Sequence, residues 1–189
     1  MVVHPPLVEF LTQARADELH RNGLFADDPD GLATAWARLQ QRWAATVDRA
    51  RRLRGPLLDE RVDGEWSFVE TLRHLVFVTD AWVGDVVEEG IDPYHPWGMP
   101  PDFLADAAAA LGLDLRARPS LDDVLVVRAG RAQQAGRVTA GLTPDELRRT
   151  CARRDGRYTV VGAVQTVLFE EWAHHEYATR DLAVLERAG

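Results

Sequence analysis

YTVVGAVQTVLFEEWAHHEYATRDLAVL, residues 158–185, is the stretch that decides the fold. Val161, Val164, Leu168, Trp172, Leu182 and Leu185 recur at spacings of three, four or multiples of these, the mark of an amphipathic helix. At about 100° per residue, with Leu168 at zero, Val164 and Leu182 fall near −40° and Trp172 near +40°. Glu171 falls at about −60° and His175 at about −20°, inside the apolar stripe. The neighbouring pair, Glu170 and His174, falls at about −160° and −120°, off it. A buried carboxylate and imidazole one turn apart need a compensating partner, since leaving either unsatisfied costs roughly 1–3 kcal/mol or more. The wheel therefore predicts that Glu171 and His175 face the interior and that Glu170 and His174 do not.

Outward from that helix, the rest of the chain also reads as helical. Residues 5–22 open with prolines and place Leu7, Phe10, Leu11 and Ala14 at helical spacing, with a stop at Gly23. The DDPDG run, 27–31, is a turn that supplies an N-cap for a long helix over about 31–53, whose buried face carries Leu32, Ala35, Trp36, Leu39, Trp43, Thr46 and Val47. Ser67 followed by Glu70 matches a capping box, opening a helix to about Glu89 that is apolar over most of its circumference. Residues 91–116, rich in Pro, Gly and aromatics, form a long connection with one helical turn through 104–110; connections of this length in a compact domain are functional or are crossovers. A further helix runs from about Ser120 to Thr139, GLTPDEL holds a short helical turn, and RRDGRYT is a glycine-containing turn. No strand is expected. Four long helices with a crossover between the second and third predict an all-α four-helix bundle, a fold that places metal and cofactor sites on facing helices. The 189 residues are expected to form one domain, with 1–30 as an N-terminal helical extension and 91–117 as the crossover.

Composition narrows the function classes. A net charge of −8 argues against a nucleic-acid or anionic-membrane binder, both of which need a basic surface. A single cysteine, Cys151, excludes an intramolecular disulfide and suits a reducing compartment. The opening MVVHPPLVEF lacks the basic region and long apolar run of a signal peptide, and no apolar stretch approaches 18 residues. The expectation is a cytoplasmic, non-membrane protein.

His74 lies in the middle of the apolar second long helix. With Glu171 and His175 it makes a two-histidine, one-carboxylate set drawn from two helices, suited to zinc, nickel, iron or manganese. Three protein ligands leave coordination positions open, the pattern of a catalytic site. Trp66, Trp82 and Trp172 read as core anchors, and His174 and Glu176 as a solvated helix face. His95, in YHPWG, reads as an exposed loop histidine, and nothing in the sequence pairs Cys151 with a base.

The segments EWSFVETLRHLVFVTDAW (65–82) and EEWAHHEYATRDLAVL (170–185) resemble the two signature helices of the DinB-like superfamily. These are four-helix bundles in which the second helix carries one metal-ligand histidine and the last an H-x-x-x-H pair. The resemblance covers about 30–185. It implies that His74 is the first ligand and His175 the second member of the pair, with Glu171 standing where the family has histidine. It further implies zinc or nickel as the metal, homodimers, and relatives acting as transferases or isomerases dependent on mycothiol or bacillithiol. Two readings follow. One is a metal-dependent enzyme that activates a mycothiol-type thiol for S-transfer or isomerisation of a small-molecule substrate, under a roof made by 91–116. The other is a non-catalytic bundle that binds a small molecule or protein partner.

Overall fold

The structure, a computed structural model, describes residues 11–152 and 156–188. Six α-helices are seen among them: α1 (Gln13–Arg21), α2 (Pro29–Ala50), α3 (Phe68–Thr79), α4 (Leu121–Gly141), α5 (Pro144–Arg148) and α6 (Val160–Ala188). The all-α reading holds, and the helix starts follow local chemistry. Asp28 caps α2 by accepting from the Gly31 N–H, with Pro29 at the first helical position. Ser67 and Glu70 form the reciprocal capping box that opens α3, and Ser120 and Asp123 do the same for α4. Among the described residues the N-terminal helix spans Gln13–Arg21; Leu7 and Phe10 lie outside them.

The helix expected to reach Glu89 changes character part-way. It is α-helical to Thr79, then continues over Asp80–Val87 with π-type turns, closed where the Glu88 N–H bonds to the Val83 carbonyl. Such widened turns are rare and often sit at functional sites. At Gly84 a Cβ would lie 2.9 Å from Pro93 Cβ, so only glycine lets the long connection close on this segment.

The bundle helices pack as a ring in the order α2, α4, α3, α6, with α6 closing back on α2. Every residue from Thr71 to Thr79 is buried, as the apolar circumference of α3 requires. One core cluster gathers Trp36, Leu39, Val164 and Leu168, and another Trp43, Leu72, Leu75, Val124 and Leu182. The long connection contains 3-10 turns at Asp102–Ala107 and Ala109–Leu111. It is held to α3 by Arg73, only 2% exposed, whose guanidinium donates to the carbonyls of Trp97 (2.9 Å), Asp114 (3.1 Å) and Ala117 (2.9 Å). Asp80, also buried, accepts from the His95 N–H (2.7 Å) and pairs with Arg131.

The expectation of no strand needs correction. Thr150–Ala152 and Arg157–Thr159 pair antiparallel, with Cys151 opposite Tyr158. Three residues are too few to display the alternation that announces a strand in sequence.

Candidate metal centre

His74 projects from α3 toward α6, where it meets Glu170 and His174. His74 Nε2 lies 3.7 Å and His174 Nε2 3.2 Å from Glu170 Oε2, and one ligand atom of each residue falls within 4.8 Å of the others. The two Glu170 separations lie below about 4.4 Å, the span of two bonds of about 2.0–2.2 Å to one ion, and the 4.8 Å limit exceeds it by a few tenths of an ångström.

The expected set was His74, Glu171 and His175. The structure keeps His74 with neither of the other two. Glu171, fully buried, pairs with Arg128 of α4 at 2.5 Å. Arg128 also stands over the Trp43 ring, and the Trp43 indole N–H donates to the Glu171 carbonyl at 3.2 Å. The His175 Nε2 bonds the Thr46 hydroxyl at 2.9 Å, and its ring packs edge-on to Trp43 at 5.3 Å. Because α4 and α6 stand diagonally in the ring, the Arg128–Glu171 pair crosses the bundle centre.

The wheel thus placed Glu171 and His175 correctly toward the interior but wrongly left Glu170 and His174 outside. Their side chains are only 14% and 15% exposed. Helix α6 packs on α1, α2, α3 and the π segment, so its buried arc is much wider than one stripe. Ala163, Val167 and Asp181 are buried on the Glu170 side of the wheel as well. The doubled sequence EEWAHH offers two Glu-x-x-x-His pairs one residue apart, about 100° apart on the helix. The strongest apolar centre, Leu168, chose the pair that faces the bundle axis. The pair that faces His74 lies on the flank, beside short Ala163 and Val167.

The donor chemistry fits a divalent cation. His74 Nδ1 is 2.8 Å from the Met99 carbonyl, which can only accept, so Nδ1 carries the proton and Nε2 presents a lone pair toward Glu170. Burial lowers the His74 pKa, which keeps the ring neutral. Burial works against ionisation of Glu170, but the His174 ring against its oxygens lowers the carboxyl below the usual carboxylate range. A neutral imidazole lone pair facing an ionised carboxylate with no proton between them is an arrangement that a cation resolves. The Met99 carbonyl that fixes the tautomer is itself held in place, since the Met99 N–H donates to the Arg73 carbonyl at 3.1 Å.

The cluster sits in the wall of a cleft of about 1400 Å³. The connection expected as a roof does line it, through Tyr94, Phe103 and Leu104, and the π segment contributes Ala81, Trp82 and Asp85. Trp66 is therefore a cleft wall rather than a core anchor, whereas Trp82 both packs on the core and lines the cleft. Trp66 lies against both imidazoles, with centroids 4.5 Å from His74 and 5.8 Å from His174. Trp172 does pack on the core, half-buried. Cys151 is buried, with the Arg149 guanidinium 3.1 Å from its sulfur.

Residues 32–178 match the model of a family described as the DinB superfamily, a span of more than half the chain. Members of this superfamily are typically metal-binding. No curated protein and no solved structure matches the chain. No helix among the described residues is long and apolar enough to cross a membrane.

Proposed function

The chain belongs to the DinB superfamily, and on that premise we propose that it is a metal-dependent enzyme that activates a low-molecular-weight thiol, of the mycothiol type, for S-transfer or isomerisation. His74, Glu170 and His174 would hold the metal, zinc or nickel. The observation that supports this reading is the convergence of those three donors in the wall of a large cleft, with the His74 tautomer set by the Met99 carbonyl. A bound divalent ion with open positions supplies a lowered pKa to a coordinated thiol, favouring thiolate at neutral pH.

The remaining work falls to the protein. Glu170 brings one negative charge to the site and leaves a dication short of neutral, so an anionic sulfur is attracted there. The Trp66 ring covers one side of both imidazoles and limits water. Met99 and Arg73 fix the direction of the His74 lone pair. A homodimer, as expected from the family resemblance, would leave this arrangement intact, because all three donors come from one chain.

The experiment is metal analysis and titration calorimetry on purified protein, followed by incubation of zinc-loaded protein with a small thiol and an electrophile. One equivalent of metal is expected. Glu170→Gln or His174→Ala should weaken binding by more than about 100-fold, beyond the 10–100-fold typical of an outer-shell loss. Protein that takes up no metal after anaerobic reconstitution would refute the reading and leave a non-catalytic bundle.

A further inference from the structure

The cleft carries more than its ligand cluster. Six aromatic side chains line it: Trp66, Phe77, Trp82, Tyr94, Phe103 and Tyr158. Their ring contacts fall into two groups. In one, Trp66 lies against His74, His74 against Phe77 (6.2 Å), and Phe77 stacks on Tyr94 at 5.6 Å with planes 27° apart. In the other, Trp82 meets Tyr158 edge-on at 5.2 Å. The Phe103 ring, 77% exposed, belongs to the lining contributed by the long connection. A large exposed phenyl turned to a cavity rather than to the core is the kind of surface that stacks on a ligand.

Charge points the same way. The described lining residues include three carboxylates, Asp85, Asp92 and Glu170, against the single guanidinium of Arg15. Arg15 already stands over the Phe169 ring at 5.0 Å. A small polycarboxylate entering here would meet like charge, and few groups could pair with it. Size is the third consideration. A cleft of about 1400 Å³ exceeds the roughly 300–1,000 Å³ that holds one drug-sized ligand, so it has room for a thiol and a second molecule together.

We propose that the second molecule is an uncharged aromatic compound, held by ring stacking on these lining aromatics beside the metal ligands. This rests on the thiol-activating reading for its role as co-substrate, but the binding itself needs no metal. Apolar contact and offset ring geometry supply the affinity, and the acidic lining supplies discrimination against anions.

The test is calorimetric titration of the full chain with 2-naphthol, uncharged at pH 7, and with succinate, each on zinc-loaded and on chelator-treated protein. Naphthol should bind in both states, and succinate should not bind the chelator-treated protein, where no dication offsets the acidic lining. Trp82→Ala should weaken naphthol binding by about five- to tenfold, the scale of one lost aromatic pair. Phe103→Ala should weaken it by a smaller factor; its ring is on the surface, so this variant keeps the core intact. Succinate binding to chelator-treated protein as tightly as naphthol, or naphthol affinity unchanged in both variants, would overturn the proposal. Naphthol binding by protein that takes up no zinc would uphold it while refuting the metal enzyme.

Discussion

Replacing Glu171 by leucine separates the bundle-centre ion pair from the candidate metal ligands. Glu171 is fully buried and Arg128 is 5% exposed, so the substitution strands a guanidinium in the bundle interior. Breaking a buried pair by removing one partner typically costs about 3–5 kcal/mol. For a chain of this length, at about 2–4 °C per kcal/mol, the melting temperature should fall by about 6–20 °C. The pair is imperfectly satisfied, because Glu171 Oε1 and Arg128 Nη1 are buried without hydrogen-bond partners among the described residues. Replacing both ends, as Arg128→Met with Glu171→Leu, should therefore recover stability to within about 1 kcal/mol of the parent or exceed it. Urea unfolding gives the stabilities, and zinc calorimetry on the folded proteins gives the second readout. Zinc affinity should be unchanged in Glu171→Leu and lost in Glu170→Gln. A Glu171→Leu protein that keeps its stability but loses zinc would refute the assignment of these two glutamates, as would a double variant no more stable than the single.

Arg73→Met should remove three charge-assisted bonds to the carbonyls of Trp97, Asp114 and Ala117, raising amide exchange across 97–117 and weakening zinc by about 10–100-fold through the Met99–His74 contact; exchange mass spectrometry and calorimetry read the two effects, and an unchanged zinc affinity would show that the connection does not orient His74. Acid should destabilise the protein partly through Glu70. Burial raises the pKa of Glu70, but Arg61, bonded twice at 2.8 Å, and the Ser67 N–H lower it on balance below the ordinary 4.5. A depressed folded-state pKa stabilises above the unfolded value, so this contribution is complete above about pH 4.5 and is lost as pH falls through the folded value. Glu70→Gln should flatten that part of the urea-midpoint profile; an identical profile would rule the group out.

The sequence by itself determined where the long helices start and one member of the candidate site. Ser67-x-x-Glu70, Asp28-Pro29 and Ser120-x-x-Asp123 mark helix starts through chemistry confined to one turn, and such chemistry is legible without neighbours. His74, a polar ring in the middle of an apolar helix, stood out for the same local reason. Tertiary structure decided which half of EEWAHH completes the site. Helical periodicity measures how apolar an arc is, and it pointed to Glu171 and His175, which do face the interior. It carries no information about which neighbour occupies each direction. Arg128 of α4 and Thr46 of α2 stand opposite Glu171 and His175, whereas α3 with His74 stands opposite Glu170 and His174. The cleft has the same origin. Its walls come from the 91–116 connection, the Asp80–Val87 π turns, Trp66 and Tyr158, segments far apart in sequence, and Arg73 and Asp80 hold the connection in place by binding its backbone groups.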